Sequence, residues 1–327
     1  MRIPLLTVFV AASLLTFVSA QAPPKPARIN KAIELLEQGQ PVYYDTAGVG
    51  GYENGKKYAA TAGDYINYEM EHGSLDFTAL REFMRGLVDG GPTKSGHRTP
   101  AVIATLPILG LDETSLRANY WVIHQTLAAG VHGILLCHAR VPEAAKLMVE
   151  AARYPFAPKA AGLDQGLRGS GSQGFASQIW GISGAEYVRR ADVWPLNKEG
   201  ELMLGLKIED SYALQNAEKS TKVPGIAFAE WGPGDMGFWL VGPPAARRGG
   251  GGARGAGRGA GSEQEFPPVM QQARARVFAA TKAANIKFLN GCTANNVEAM
   301  IKEGVMICAG VGGAEIGRKL TKRTMAY

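Results

Sequence analysis

The chain has 327 residues, a formal net charge of +6 and 46% apolar residues, which is enough to bury a sizeable core in one large domain. Four of the positive charges, Arg247, Arg248, Arg254 and Arg258, fall in one glycine-rich stretch, so the rest of the chain is nearly balanced in charge. This distribution argues against a protein whose folded body binds nucleic acid.

The N-terminal segment, residues 1–20, has the pattern of a secretory signal peptide. Arg2 precedes an apolar run over residues 5–18, and small residues stand before Gln21. The run is short for a membrane-spanning helix. We expect cleavage after Ala20 and export to the periplasm or the extracellular space, with no membrane span left. An uncleaved anchor is the alternative.

Short apolar runs rich in β-formers alternate with helical patterns over the rest of the chain, residues 21–327. This alternation is typical of repeated βα units around a parallel sheet. A leading helix over residues 30–38, followed by Gly39, is expected to close the bottom of the sheet structure. Eight runs predict an α/β fold, a closed (βα)8 TIM barrel in one domain. The predicted strands cover residues 41–44, 65–69, 101–105, 133–137, 202–208, 225–229, 286–289 and 305–309.

The second predicted strand ends in Glu69-Met70-Glu71-His72-Gly73. Barrel enzymes keep their sites at the carboxyl ends of the strands, where a histidine is well placed to move protons. We therefore predict His72 and Glu69 as catalytic residues, with a structural histidine as the alternative. Structural roles are expected for the other histidines, least firmly for the one just beyond the fourth strand; they are His97, His124, His132 and His138.

Glu209 and Asp235 follow the fifth and sixth predicted strands. At the same end of a parallel barrel, two carboxylates can meet and hold a hard divalent cation. A buried carboxylate there is costly unless it is paired or metal-bound. We therefore predict Glu209 and Asp235 as metal ligands. An ion pair between Glu209 and Lys207, on the same face of one strand, is the alternative, and it leaves Asp235 unexplained.

Two glycine-rich loops offer backbone amides to an anionic substrate. Residues 166–172 carry Arg168 among glycines and serines, and residues 232–235 read Gly-Pro-Gly-Asp beside the predicted metal. We predict Arg168, Gly234 and Asp235 as substrate-binding residues.

Residues 243–268 form a low-complexity Arg/Gly-rich stretch with almost nothing to bury, which predicts a disordered insertion within the barrel. Arg–Gly repeats can also bind RNA or acidic surfaces, but no aromatic residue for base stacking precedes Phe266. The insertion is therefore expected to be inert.

Three cysteines, Cys137, Cys292 and Cys308, lack the spacing of a zinc site or a disulfide framework. Buried thiols are the first interpretation. Export would allow a bridge between Cys292 and Cys308, because both fall at the last two predicted strands.

Taken together, the predicted site residues and their neighbouring segments resemble those of the HpcH/HpaI family of class II, metal-dependent pyruvate aldolases, which are related to citrate lyase β subunits. The resemblance covers about residues 41 to 313. It departs over residues 104–107, where the family has an arginine at the end of strand three, and over residues 126–130, where the family's A-L-D-A-G segment has an aspartate partner for the histidine. Lys207 and Glu69 replace a glutamine and an aspartate. The similar segments are residues 69–73 (D-x-E-H-G), 152–156 with 166–169 (A-R-Y-P-P…G-x-R-G), 207–210 (Q-I-E-T) and 232–237 (G-P-x-D-L-S).

The resemblance implies that Glu209 and Asp235 bind Mg²⁺, Mn²⁺ or Co²⁺, and that the amides of Gly234 and Asp235 hold the carboxylate of a small 2-oxo acid. His72 would act as the base. The implied activity is that of an aldehyde-lyase, which cleaves or forms a hydroxy-2-oxo acid through a pyruvate-type enolate, with an aldehyde as the second partner. A homo-oligomer, in this family often a hexamer, is also implied.

Two other functions stay open at this point. One is an exported, non-catalytic protein of the same fold that binds a metal and an oxo acid. The other is an RNA- or polyanion-binding protein acting through the Arg–Gly stretch, although no nucleic-acid partner is expected for the folded body.

Overall fold

The computed structural model describes residues 28–243 and 266–327. The predicted signal peptide lies outside the described residues, as does most of the Arg/Gly-rich insertion, residues 244–265. In the described part, no helix has the length and apolar character needed to cross a bilayer.

The strands form a closed parallel barrel, as predicted. All eight predicted strands are present. Along the chain, a further strand lies between the fourth and fifth of them; it has two residues, too few to give a recognisable sequence pattern. The strands are β1 Val42–Gly48, β2 Tyr65–Glu69, β3 Ala101–Leu109, β4 Gly133–Cys137, β5 Val193–Trp194, β6 Leu202–Lys207, β7 Phe228–Glu230, β8 Lys287–Gly291 and β9 Ile307–Ala309. The barrel runs β1-β2-β3-β4-β6-β7-β8-β9 and closes by pairing of β9 with β1, while β5 pairs with β6.

Helices alternate with the strands and surround the barrel. Together, they bury the outward-facing side chains of the strands. In the described residues they are α1 Lys31–Glu37, α2 Tyr52–Tyr58, α3 Phe77–Asp89, α4 Glu113–Asn119, α5 Trp121–Ala128, α6 Pro142–Ala152, α7 Gln173–Trp180, α8 Gly184–Arg190, α9 Ser211–Gln215, α10 Ala217–Ser220, α11 Pro233–Leu240, α12 Pro268–Ala283, α13 Val297–Glu303 and α14 Ala314–Leu320.

The predicted leading helix is α1. Asn30 caps it by accepting hydrogen bonds from the amides of Ala32 and Ile33, and Gly39, with φ 69°, follows its end. Apolar side chains of α1 pack against inward-facing residues of the barrel such as Val42. The bottom of the barrel is therefore filled with apolar groups.

Alternation along each strand divides the core in two. On β2, Tyr65 belongs to the cluster inside the barrel, whereas Ile66 belongs to the cluster under the helices; on β3, Ile103 and Val102 divide in the same way. The apolar interior leaves the carboxyl ends of the strands as the place for polar side chains.

Cys292 and Cys308 form a disulfide that joins the end of β8 to β9. Their interpretation as buried thiols is therefore corrected: parallel pairing of β8 with β9 brings them side by side. Cys137 is a free, buried cysteine, and burial raises the pKa of its thiol well above the usual value. A thiol of this kind is a poor nucleophile.

Candidate active site

Four potential metal ligands meet at the carboxyl end of the barrel. Glu71, His138, Glu209 and Asp235 each offer one atom, and these four atoms lie within 4.8 Å of one another. Glu71 follows β2, His138 follows β4, Glu209 follows β6, and Asp235 lies in the first turn of α11 after β7. We call these four residues the carboxylate–histidine cluster. It contains both predicted metal ligands.

The loop from β7 to α11 passes very close to Glu209. Gly232 has φ 50°, and a Cβ built on it would lie 2.3 Å from Glu209 Cβ, so glycine is required there. Gly234 is exposed, and a Cβ on it would meet nothing within 4 Å. The amides at the start of α11 therefore border open space next to the cluster.

Lys207 lies between two of the carboxylates. Its Nζ donates to Glu71 Oε2 at 2.6 Å and lies 2.9 Å from Glu209 Oε2. The ion pair that we considered as the alternative for Glu209 is therefore present, and it extends to Glu71. Asp235 takes no part in this pairing, so the pair does not account for the whole cluster.

Burial and mutual repulsion control ionisation in the cluster. Burial raises the pKa of Glu209 to about 7 in spite of Lys207, and it also raises the pKa of Glu230, which ends β7. Burial opposes ionisation of Glu71 too, but the Lys207 ammonium brings its pKa below the ordinary value. Burial opposes the charge of Lys207, but Cys137 and the surrounding carboxylates outweigh it and hold the pKa of Lys207 well above its usual range. The three carboxyl groups of Glu71, Glu209 and Glu230 thus surround the single ammonium of Lys207, and this excess of acidic groups favours binding of a further cation.

The predicted catalytic residues His72 and Glu69 border the cluster. Glu69 Oε1 accepts hydrogen bonds from the amides of Glu71 (2.7 Å) and His72 (3.2 Å), so Glu69 shapes the turn after β2. His72 Nδ1 lies 3.5 Å from Glu69 Oε1 and 3.8 Å from Glu71 Oε2. The His72 side chain is 69% exposed, which places it at the rim of the site.

His138, for which we expected a structural role, lies in the cluster instead. Its ring Nδ1 is 2.8 Å from Asp210 Oδ2, and its backbone N–H donates to Glu209 Oε1 at 3.1 Å. The hydrogen bond to Asp210 raises the pKa of His138, while the pKa of Asp210 falls to about 2 because His138, a backbone amide and Arg140 outweigh its burial. The signal in the sequence was the position of His138 directly after a strand, at the end where sites form.

Arg168 is not brought to the cluster. Its guanidinium is buried 4.4 Å from the ring centre of Tyr154 and 5.5 Å from that of Tyr187, and its Nη2 donates to the Tyr187 hydroxyl. Tyr187 in turn donates to the carbonyl of Leu127 in α5. Arg168 therefore packs in the helical layer, and its predicted substrate-binding role does not match this position. The cation at the cluster is Lys207.

The fold and site together define a parallel (βα)8 barrel with a partly buried, acidic, histidine-containing cluster at the carboxyl end of its strands. No protein-family model matches the chain, and a search of curated proteins finds no similar sequence. Solved structures do match along most of the chain.

An HpcH/HpaI aldolase/citrate lyase family protein from Burkholderia cenocepacia J2315 matches at 16% identity over 89% of this chain and 95% of its own, with a TM-score of 0.62. Citrate synthase SbnG matches at 16% identity over 90% and 96%, with a TM-score of 0.60. An HpcH/HpaI aldolase from Desulfitobacterium hafniense DCB-2 matches at 16% over 89% and 95%, with a TM-score of 0.58. The predicted resemblance is thus confirmed at the level of the fold.

Proposed function

We propose that the protein is a divalent-metal-dependent carbon–carbon lyase that acts on a small hydroxy-2-oxo acid through a pyruvate-type enolate. The observation that carries this proposal is the convergence of Glu71, His138, Glu209 and Asp235 within 4.8 Å at the carboxyl end of the barrel. Structural neighbours described as aldolases motivate the class of reaction.

The residues present fit a divalent cation. Glu209 is buried, and its Oε2 accepts no hydrogen bond among the described residues, although Lys207 Nζ lies 2.9 Å away. Hard cations prefer carboxylate oxygens such as those of Glu209 and Asp235. When bound there, the cation would supply Lewis-acid stabilisation of negative charge on the keto oxygen of the substrate.

The chain's own groups bind and orient the substrate. The amides of Gly234 and Asp235 lie in the first turn of α11, where backbone N–H groups have no partner within the helix, and they can receive the carboxylate of a 2-oxo acid. His72 at the rim exchanges protons with the substrate, and Glu69 holds the turn that carries it. Lys207 supplies positive charge that the family's strand-three arginine would otherwise provide.

Proton exchange in pyruvate tests the proposal without knowledge of the aldehyde. We expect the methyl protons of pyruvate in D₂O to exchange with deuterium when the mature protein and Mn²⁺ are present, as measured by NMR. Glu209→Gln should lower the exchange rate by about 100-fold or more, because loss of a carboxylate ligand weakens binding of the cation that would stabilise the negative charge of the enolate. Glu218→Gln, which changes an exposed glutamate paired with Arg276, serves as the matched control. Exchange that is independent of metal, or unchanged in Glu209→Gln, would refute the proposal.

A non-catalytic binding protein is the second candidate, and the absence of an arginine over residues 104–107 favours it. In that case, Mn²⁺ and pyruvate would bind, and Asp235→Asn would weaken this binding, but no proton exchange would follow. Calorimetric titration of the metal and of pyruvate into the same samples separates the two candidates.

We also propose that the protein is exported and forms a homo-oligomer. The disulfide between Cys292 and Cys308 supports export, because such bonds persist in oxidising compartments. Phe238, Trp239 and Val241 at the end of α11 are 45–59% exposed, and a cluster of exposed apolar groups supports self-association. Light scattering on the mature protein would show a monomer if the second part is wrong.

A further inference from the structure

His138 differs from the other members of the carboxylate–histidine cluster, because it is an imidazole among carboxylates and no motif that predicted the site includes it. Its φ of 45° lies in the left-handed region, which residues other than glycine rarely adopt. This conformation brings its backbone N–H to Glu209 and keeps the side chain only 15% exposed. The local backbone strain thus coincides with placement of the ring beside the predicted metal ligands.

Asp210 fixes the orientation of the His138 ring. Asp210 Oδ2 lies 2.8 Å from His138 Nδ1 and also accepts from Arg140 Nε at 2.8 Å, while its Oδ1 accepts from two backbone amides at the start of α9. The other ring nitrogen, Nε2, lies 3.9 Å from Glu209 Oε1. A histidine that ligates a metal almost always donates its second ring N–H to a carboxylate, as His138 is arranged to do.

We propose that His138 is a metal ligand through Nε2, alongside Glu209 and Asp235, and that the site therefore takes a transition-metal ion such as Mn²⁺, Co²⁺ or Zn²⁺ in preference to Mg²⁺. Imidazole is a good ligand for transition-metal ions, whereas Mg²⁺ prefers a shell of oxygen atoms and keeps several waters. This inference rests on the metal site of the proposed function and specifies its chemistry.

Pulsed electron paramagnetic resonance of the Mn²⁺-loaded mature protein tests the ligand directly. We expect nitrogen modulation from one bound imidazole in the parent protein. The modulation should be lost in His138→Gln and kept in His72→Gln, the matched control, which changes the histidine at the rim of the same site. Bound Mn²⁺ without nitrogen modulation, or modulation that survives in His138→Gln, would overturn the assignment.

Metal affinity gives a second measurement that does not depend on one variant. Calorimetric titration should show that Co²⁺ affinity falls about 10- to 100-fold in both His138→Gln and Asp210→Asn, while Mg²⁺ affinity falls much less. Asparagine caps helices as well as aspartate does, so Asp210→Asn should preserve α9. Equal losses for Co²⁺ and Mg²⁺, or no loss for either, would contradict the inference.

The outcomes separate this inference from the proposed function. Metal-dependent exchange of pyruvate protons without nitrogen ligation would refute only the role of His138. Nitrogen-ligated Mn²⁺ without exchange would refute only the lyase activity. A parent protein that binds no metal would refute both.

Discussion

At the residue scale, Lys207 determines how the acidic site is tolerated without a metal. Its ammonium is the cation nearest to both Glu71 and Glu209, at 2.6 and 2.9 Å, and its side chain is 12% exposed. A metal ion at Glu209 would compete with this ammonium for the same carboxylate. On the proposed function, Lys207 is thus both a stabilising partner and a competitor.

We expect Lys207→Gln to destabilise the metal-free protein by about 3 kcal/mol, since removal of one partner leaves buried carboxylates unpaired. The same variant should bind Mn²⁺ more tightly than the parent and show a larger rise in melting temperature on metal addition. Calorimetric melting with and without Mn²⁺ measures both effects. A variant with equal or weaker metal affinity would show that Lys207 does not compete with the ion.

A second residue-scale prediction concerns acid stability. His132 is buried, stacks on Trp180 at 5.4 Å, and accepts a hydrogen bond from the Val102 amide at Nδ1, so its ring is held neutral. Burial, assisted by His97, lowers the pKa of His132 to about 3, whereas an unfolded histidine has a pKa of about 6.5. Between these values the unfolded chain binds the extra proton, so the free energy of unfolding must fall as the pH falls from about 6.5 toward 3.

Urea unfolding at several pH values between 7 and 4 should show this loss, with a contribution from His132 of up to about 1.4 kcal/mol per pH unit. His132→Gln should reduce the slope but not abolish it, because burial lowers the pKa of His97 to about 4 as well. Identical slopes for variant and parent would rule out His132 as a cause.

At the scale of elements, a buried ion cluster ties α1 and α14 to the bottom of the barrel. Asp64, just before β2, forms ion pairs with three cations at one oxygen: Arg318 Nη2 at 3.2 Å and Arg323 Nη1 at 2.7 Å donate hydrogen bonds to it, and Lys31 Nζ lies 3.4 Å away. Its other oxygen accepts from the Tyr43 amide. Burial lowers the pKa of Lys31 to about 8, with smaller contributions from Arg323 and Arg318, although Asp64 opposes the shift.

Asp64→Asn removes the one carboxylate that these cations share, and we expect a loss of about 3–5 kcal/mol in the free energy of unfolding. Glu315→Gln breaks an exposed pair with Lys319 on α14 and is a suitable control, with an expected change of at most about 0.5 kcal/mol. Denaturant unfolding compares the two. Similar small losses would mean that Asp64 does not hold these elements together.

At the scale of the whole molecule, the barrel could be predicted from the sequence because its eight longer strands are short apolar runs that alternate with helical patterns. The two-residue β5 is too short for such a pattern, and β3 runs on to Leu109 through an irregularity that no periodicity indicates. Glu209 and Asp235 could be predicted because each follows a strand at the same end of the barrel.

The other side chains of the site depend on tertiary contacts. His138 enters the cluster because of a left-handed backbone and its contact with Asp210, a residue 72 positions along the chain. Arg168 stands in a loop that looks suited to anions, yet aromatic packing against Tyr154 and Tyr187 places it in the helical layer. The position of His138 directly after β4 is a local signal, but its left-handed backbone, its contact with Asp210 and the aromatic packing of Arg168 have none.

The most direct test of the account is the location of a bound metal ion. Crystals of residues 21–327 soaked with Mn²⁺ should give an anomalous-difference peak within coordination distance of Glu209 and Asp235, with Lys207 Nζ moved away from Glu209. A map with no peak at this site, and with Lys207 still bridging Glu71 and Glu209, would contradict a metal-dependent function.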